Sequence, residues 1–127
     1  MNVTINKVSL IKNENFVEFS TEFGSAIAAW NAGTPNLGEL YDVELEVMEE
    51  VIWGVNAHRA LKDVYSIEVA NGFINLTGRI MSIDKGGVAA VDLDGSVVLL
   101  EVVGFTGDIP VFVDLEFKKI TLFPTGV

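Results

Sequence analysis

Tyr41-Asp42-Val43-Glu44-Leu45-Glu46-Val47 alternates apolar and acidic residues without a break. In a β-strand successive side chains point to opposite faces, so the four apolar residues would share one face and the three acids the other. A helix, with about 3.6 residues per turn, would mix the two sets around its circumference. The stretch therefore predicts a strand with an apolar core face and a carboxylate face.

Alternation with a period of two continues along most of the chain, and tight turns separate the alternating segments. Asn71-Gly72 and Asp94-Gly95 each lie between two such segments, which is a strong hairpin signal because both central residues of a type I′ turn need positive φ. A polar turn is predicted at residues 12–15, and a slip of the alternation near Asn6-Lys7 indicates a bulge. About eight or nine short strands result.

Four segments are less regular. Residues 16–23 and 25–30 suit a strand or a helix; we favour strands, because the first is rich in Phe, Val and Thr and a turn-rich loop follows the second. Residues 57–62 hold the one short helix that we predict. Residues 97–103 are almost continuously apolar, which is typical of a strand covered on both faces.

Length and turn spacing together define the predicted fold class. A chain of 127 residues fits one domain, so we predict a single β domain over residues 1–127. Many short strands with regular turns indicate a mostly-β, compact antiparallel barrel or sandwich with at most one short helix. Closing the sheet would also remove exposed strand edges.

Two segments carry a resemblance to a known fold. FGSAIAAWNAGTPNLGELYDVELEV at residues 23–47, followed by GRIMSIDKGGVAAVDLDGSVVLLEV at residues 78–102, resembles a small OB-like β-barrel, and the likeness extends over residues 16–117. Small acidic barrels of this sort also resemble bacterial immunity proteins. That resemblance implies a negative surface that covers a basic nuclease toxin.

The negative charge is concentrated in one part of the chain. Residues 13–57 contain nine acids and no Lys or Arg, whereas the remaining 82 residues contain nine acids and eight bases. If the strands predicted there share a sheet, six carboxylates converge without internal counter-charge: Glu14, Glu18, Glu22, Asp42, Glu44 and Glu46. Such a surface either keeps an apolar chain soluble or attracts a basic partner.

Residues with evident chemistry are few. The chain has no cysteine, so disulfides and thiolate ligands are excluded. His58 is the single histidine, and one histidine cannot build a multi-histidine zinc site or a catalytic triad on its own. Asp92-Leu93-Asp94-Gly95 begins like a calcium loop but lacks the third acid, which favours a hairpin turn. We predict no catalytic residue, no metal site and no cofactor.

Charge and hydropathy also limit the partners. Eight Lys and Arg against eighteen Asp and Glu disfavour nucleic acid. No apolar run reaches the roughly 18 residues of a membrane helix, and the first residues lack the pattern of a secretory signal. Together with the absence of cysteine, these features predict a cytoplasmic protein with neither a nucleic-acid nor a membrane partner. They leave its oligomeric state open.

The hypothesis that these observations favour is a non-enzymatic binding protein. It would be an immunity or inhibitor protein that neutralises a basic protein partner, such as a toxin or nuclease, through its acidic surface. Trp53 would provide an apolar anchor, and the carboxylates predicted to pair with Lys and Arg of the partner are Asp42, Glu44, Glu46, Glu49 and Glu50.

Two alternatives remain at this stage. The first is a β-barrel that binds a small ligand in an apolar cavity lined by Trp30, Tyr41 and Trp53. The second is an enzyme or accessory subunit that works through paired carboxylates, which are plentiful over residues 44–50.

Overall fold

The computed structural model describes residues 1–125, and within that range it contains twelve strands and no helix. The chain is therefore mostly β, as predicted, but with more strands than the eight or nine expected. In chain order they are β1 (Asn2–Ile11), β2 (Glu14–Thr21), β3 (Gly24–Trp30), β4 (Leu40–Glu46), β5 (Val51–Ile52), β6 (Ala57–Arg59), β7 (Ser66–Ala70), β8 (Phe73–Ile83), β9 (Val88–Leu93), β10 (Ser96–Val103), β11 (Val111–Phe117) and β12 (Thr121–Pro124).

Five strands form a closed barrel. β1, β2 and β3 make an antiparallel meander, and β4 pairs with the free side of β1. β12 then pairs antiparallel with β4 and parallel with β3, which closes the ring in the order β1-β2-β3-β12-β4. The alternation of the opening stretch is confirmed, because Val43 and Leu45 are buried in the core while Glu44 and Glu46 are exposed.

The other strands are organised around β8. Residues 73–77 of β8 pair with β7 and residues 79–83 pair with β9, while β11 pairs along the opposite edge. β10 pairs with β9, and the two shortest strands extend this set, because β5 pairs parallel with β10 and β6 pairs with β11. An isolated bridge between Trp53 and Ala57 joins these two short strands.

The barrel meets the second set of strands at Gly24. This residue, at the start of β3, is in parallel register with Ile67 of β7, and the N–H of Ile67 donates to the carbonyl of Phe23 at 3.2 Å. A Cβ at Gly24 would overlap the carbonyl oxygen of Ile67, so only glycine allows the two backbones to approach this closely. The buried apolar side chains of both sets form one continuous core.

The two predicted hairpin turns are confirmed, and the predicted turn at residues 12–15 is confined to Lys12 and Asn13, because Glu14 and Asn15 begin β2. Asn71 and Gly72 have φ of 54° and 78°, and Asp94 and Gly95 have φ of 57° and 100°, as type I′ turns require. The predicted bulge is present as a register shift between Ile5 and Lys7.

Two local predictions are wrong. Residues 57–62 do not form a helix: Ala57–Arg59 is the short strand β6, because the backbone pairs with β11 and buries Ala57. The run 97–103 is not covered on both faces. Val98, Leu100 and Val102 are buried, whereas Val97 and Leu99 are 62% and 64% exposed.

Candidate functional site

A groove of about 720 Å³ separates β4 and the loop that follows it from β10. It contains most of the carboxylates that the sequence singled out. The side chains that line it are acidic or apolar, with no Lys or Arg among them: Glu44, Leu45, Glu46, Val47, Met48, Glu49, Glu50, Val88, Val97, Leu99, Leu100 and Glu101.

The alternation of buried and exposed residues in β4 and β10 decides which side chains line each wall of this groove. On β4, Glu44 and Glu46 project outward because Leu45 between them is in the core. On β10, Leu100 is buried and its neighbours Leu99 and Glu101 are exposed. The groove therefore has an acidic wall on β4 and a mainly apolar wall on β10.

Glu49 lies in the groove lining, but its carboxylate is already occupied. Oε1 and Oε2 each accept the backbone N–H of Lys118 at 3.0 Å, and Oε2 also accepts the N–H of Lys119 at 3.0 Å. These bonds fasten the loop after β4 to the connection between β11 and β12. Glu50 contributes its backbone carbonyl to Asn56 at 2.9 Å and leaves its exposed carboxylate on the groove side.

Asp42 is also engaged, and it lies beyond the end of this groove. Its carboxylate accepts the Thr125 hydroxyl at 2.7 Å and the Met1 amino group at 3.1 Å. The hydrogen bond from Thr125, followed by that from Met1 and the positive charge of its amino group, lowers the pKa of Asp42 below its ordinary value. Asp42 therefore stabilises the meeting point of β4, β12 and the N-terminal residue.

The structure divides the three aromatic residues that the ligand-binding alternative brought together. Trp30 is only 5% exposed and packs edge-to-face on Tyr41, with ring centroids 5.0 Å apart. Trp53 is half-buried and packs edge-to-face on Phe105, with centroids 4.8 Å apart. They thus belong to two separate aromatic pairs, and Trp53 is not part of the groove lining.

The predicted convergence of six carboxylates without counter-charge is wrong. Lys119 pairs with Glu14 at 2.9 Å and Lys7 pairs with Glu18 at 3.7 Å. In the barrel, β1 also separates β2 from β4, so the acids of those two strands occupy different parts of its surface. The acids of β4 and of its following loop are the ones that share a groove.

Sequence reasoning missed the apolar half of this site. Met48, Val97 and Leu99 are exposed beside the carboxylates, and Glu101 adds a further acid from the far wall. An almost continuously apolar run hides which face will be covered, because that depends on the strands packed against it. The one local signal was Glu101. This acid interrupts the run, and with a period of two it falls on the same face of the strand as the exposed Val97 and Leu99.

Residues 1–125 offer little other chemistry. No group of three or more His, Asp or Glu side chains in this range is arranged to hold a metal ion. His58 is exposed, and its Nε2 lies 3.2 Å from the carbonyl oxygen of Gly54. No helix long and apolar enough to cross a membrane occurs in the same range.

Comparison with known proteins gives no relative for this chain. No protein-family model matches it, and neither a curated protein nor a solved structure does.

Proposed function

We propose that this chain is a non-enzymatic binding protein that holds a basic partner protein in the groove between β4 and β10. The observation that carries the proposal is the composition of that groove: five glutamates share its lining with exposed Met48, Val97 and Leu99, and no basic side chain lines it. A partner that brings Lys or Arg together with apolar side chains would complement both walls.

Solubility alone gives a weaker account of this arrangement. Acids that only keep a chain in solution need no particular neighbours. Here Glu44 and Glu46 lie opposite exposed apolar residues of β10 across a concave surface. Exposed apolar side chains rimmed by charge are typical of interaction sites.

The hydrogen bonds of the acids reduce the number of residues that we propose contact the partner. Asp42 and Glu49 already accept internal hydrogen bonds, so a partner would have to compete for them. Glu44, Glu46 and Glu50 have exposed carboxylates and become the main partner-binding acids, joined by Glu101. Val97 and Leu99 take over the anchoring role that the sequence assigned to Trp53.

An immunity-type protein that covers a basic toxin is the particular form of this proposal. Two observations support this form: the surface is acidic, and the five-stranded ring β1-β2-β3-β12-β4 is compatible with an OB-like barrel. Fold and charge describe a class of partner and do not identify an individual one. The ligand-binding alternative loses its main argument, because its three aromatic residues do not form one cluster.

The test is capture of a partner from the host organism by three forms of the protein. Wild type is compared with Glu44→Lys/Glu46→Lys and with Glu68→Lys/Glu116→Lys. Glu68 and Glu116 are exposed, lie outside the groove and flank Asn75 from both sides. Because this variant also replaces two glutamates by lysines, it changes the net charge by the same amount as the groove variant. We expect wild type and the Glu68/Glu116 variant to capture the same basic protein and the groove variant to lose it. Equal capture by all three would contradict the proposal.

A further inference from the structure

We propose that two copies of this chain associate through the open edge of β1, where residues 7–11 would pair antiparallel with the same residues of a second copy. The inference goes beyond the proposed function and is independent of it, because no residue of this segment lines the groove between β4 and β10. It starts from the main-chain hydrogen bonds of β1, which use only one side of the segment.

The edge is open because the barrel covers only the first half of β1 on that side. β2 pairs with β1 as far as its last residue, whereas β4 pairs with it only over residues 2–4. The loop before β4 extends this cover by one residue: the N–H of Ile5 donates to the carbonyl of Glu39 at 3.1 Å, and its carbonyl accepts the N–H of Gly38 at 2.7 Å. Within the described residues, no strand other than β2 pairs with residues 7–11.

The hydrogen-bond alternation of the β1–β2 hairpin shows which main-chain groups face this edge. The turn between the two strands has two residues, so Ile11 and Glu14 form a hydrogen-bonded pair. Ile11 and Ser9 therefore direct their N–H and carbonyl groups toward β2. Val8 and Leu10 direct theirs to the open side, where no main-chain group of residues 1–125 pairs with them.

These outward groups are complementary to the same groups of a second copy. In an antiparallel pair centred on Ser9, Val8 lies opposite Leu10 of the second copy, and Leu10 lies opposite its Val8. Both are hydrogen-bonded pairs, so every outward N–H of the two residues would meet an outward carbonyl. A shift of the register would leave some of these groups unpaired. Because both copies use the same edge, the assembly closes at the dimer.

The side chains of this segment favour the same register. Leu10 is 68% exposed and would pack on Val8 of the second copy. On the opposite face, the exposed Ile11 would lie beside the aliphatic stem of Lys7 of the second copy. No charged residue and no proline occurs between Lys7 and Lys12, although these are the residues that commonly protect an edge strand from pairing.

The charge around this edge allows two copies to approach despite the net charge of −10. The nearest acids of β2 are compensated, because Lys7 pairs with Glu18 at 3.7 Å and Lys119 pairs with Glu14 at 2.9 Å. Lys12 in the turn adds a further positive charge. The edge thus combines apolar side chains with a local balance of charge, whereas the groove lining is acidic without a base. This balance favours a second copy over a basic partner at the edge.

Cysteine cross-linking tests the register, because the chain has no cysteine of its own. In the proposed dimer Ser9 faces Ser9 of the second copy as a non-hydrogen-bonded pair, with Cα atoms about 4.5 Å apart, which is within the range of a disulfide. Ser9→Cys should therefore form a disulfide-linked dimer under mild oxidation. Lys7→Cys lies on the same face, but its two copies would be about 14 Å apart and should not cross-link. Ser82→Cys, at an exposed serine of β8, controls for random collision.

Sedimentation velocity over a concentration series tests the association without cysteine. We expect wild type to dimerise as its concentration rises, Leu10→Lys to weaken dimerisation by about tenfold or more, and Leu61→Lys to leave it within about threefold. Leu61→Lys makes the same change in charge at a leucine that is 97% exposed and lies outside the strands. Hydrogen exchange at the amides of Val8 and Leu10 should slow with rising concentration, while that of Ser9, already bonded to β2, stays unchanged.

Several results would overturn the dimer. A protein that stays monomeric at every concentration would do so, as would equal cross-linking of Ser9→Cys and either control. Equal dimerisation of wild type and Leu10→Lys would place the contact on another surface. A monomer in which a captured partner slows exchange at Val8 and Leu10 would assign the edge to that partner. Partner capture by the groove variant decides the proposed function separately.

Discussion

Glu49 accepts the backbone N–H of Lys118 with both carboxylate oxygens, each at 3.0 Å, although the two residues are 69 positions apart. The same carboxylate accepts the N–H of Lys119. Glu49, which the sequence analysis predicted to bind a partner, thus stabilises the fold. It also fixes the loop that forms one end of the groove.

Replacing Glu49 by Ala should lower the free energy of unfolding by about 1–3 kcal/mol, because two backbone donors lose a charged acceptor. Glu50→Ala is the matched control, since its carboxylate is exposed, and it should stay within about 0.5 kcal/mol of wild type. Urea unfolding monitored by tryptophan fluorescence measures both. Equal losses in the two variants would show that the Glu49 bonds contribute nothing specific.

The Tyr65–Asp92 hydrogen bond should make stability depend on pH in the alkaline range. The Tyr65 hydroxyl donates to Asp92 Oδ2 at 2.5 Å; that bond, then partial burial and the negative charge of Asp92, raise the pKa of Tyr65. The neutral phenol is favoured in the folded state, so its contribution is complete below the unfolded pKa of about 10 and disappears as pH rises through the folded pKa. Tyr65→Phe should therefore be less stable than wild type at neutral pH and approach it at high pH.

Ultraviolet titration of the phenolates provides the direct check. Wild type contains Tyr41 and Tyr65, and Tyr65→Phe should lose the component with the raised pKa. Asp92→Asn should shift that component back toward a pKa of about 10. An unchanged titration in Asp92→Asn would contradict the assigned cause.

Asp42 should give the opposite dependence in acid. Its pKa is lowered in the folded state, so its contribution is present above the unfolded pKa of about 3.9 and is lost as pH falls through the folded pKa. Asp42→Asn should be less stable than wild type at neutral pH, and the difference should vanish in strong acid. Urea unfolding over a pH series tests this, and a difference that is constant at every pH would refute it. Thr125→Val should raise the Asp42 pKa, as carboxyl NMR can measure.

Gly24→Ala should be among the most damaging single substitutions, because the new Cβ would overlap the Ile67 carbonyl where the barrel meets β7. We expect a loss of about 3 kcal/mol or more. Gly33→Ala is the control: Gly33 also has positive φ, but a Cβ added there would have no atom within 4 Å. It should cost about 1 kcal/mol from backbone strain alone. Thermal unfolding compares the two, and equal effects would rule out close packing as the cause.

The sequence predicted those parts of the fold that local chemistry decides. Asn71-Gly72 forms a hairpin because its own φ preferences require one, and the alternation around Leu45 separates core from surface wherever that strand pairs. The closing of the barrel was not readable in detail, because β12 pairs with β3 and β4 through contacts between distant parts of the chain. Ala57–Arg59 is a strand for the same reason: its partner β11 lies more than 50 residues further along.

The sequence predicted the acidic wall of the candidate site and missed its apolar wall. The acids of β4 were visible as a pattern, whereas the counter-charges that Lys119 and Lys7 supply to Glu14 and Glu18 come from other elements. The apolar wall was hidden for a related reason. Whether Val97 and Leu99 are covered depends on which other parts of the chain pack against their face of β10, and no local pattern encodes that packing.

The charge of this groove, rather than the net charge of the protein, is what we propose recruits a basic partner. The most direct measurement is the association rate constant of the captured partner at low and physiological ionic strength. We predict that Glu44→Lys/Glu46→Lys slows association by about tenfold or more and flattens its salt dependence, while Glu68→Lys/Glu116→Lys stays within about threefold of wild type. Equal slowing by the two variants would contradict the account, because overall charge would then explain the attraction.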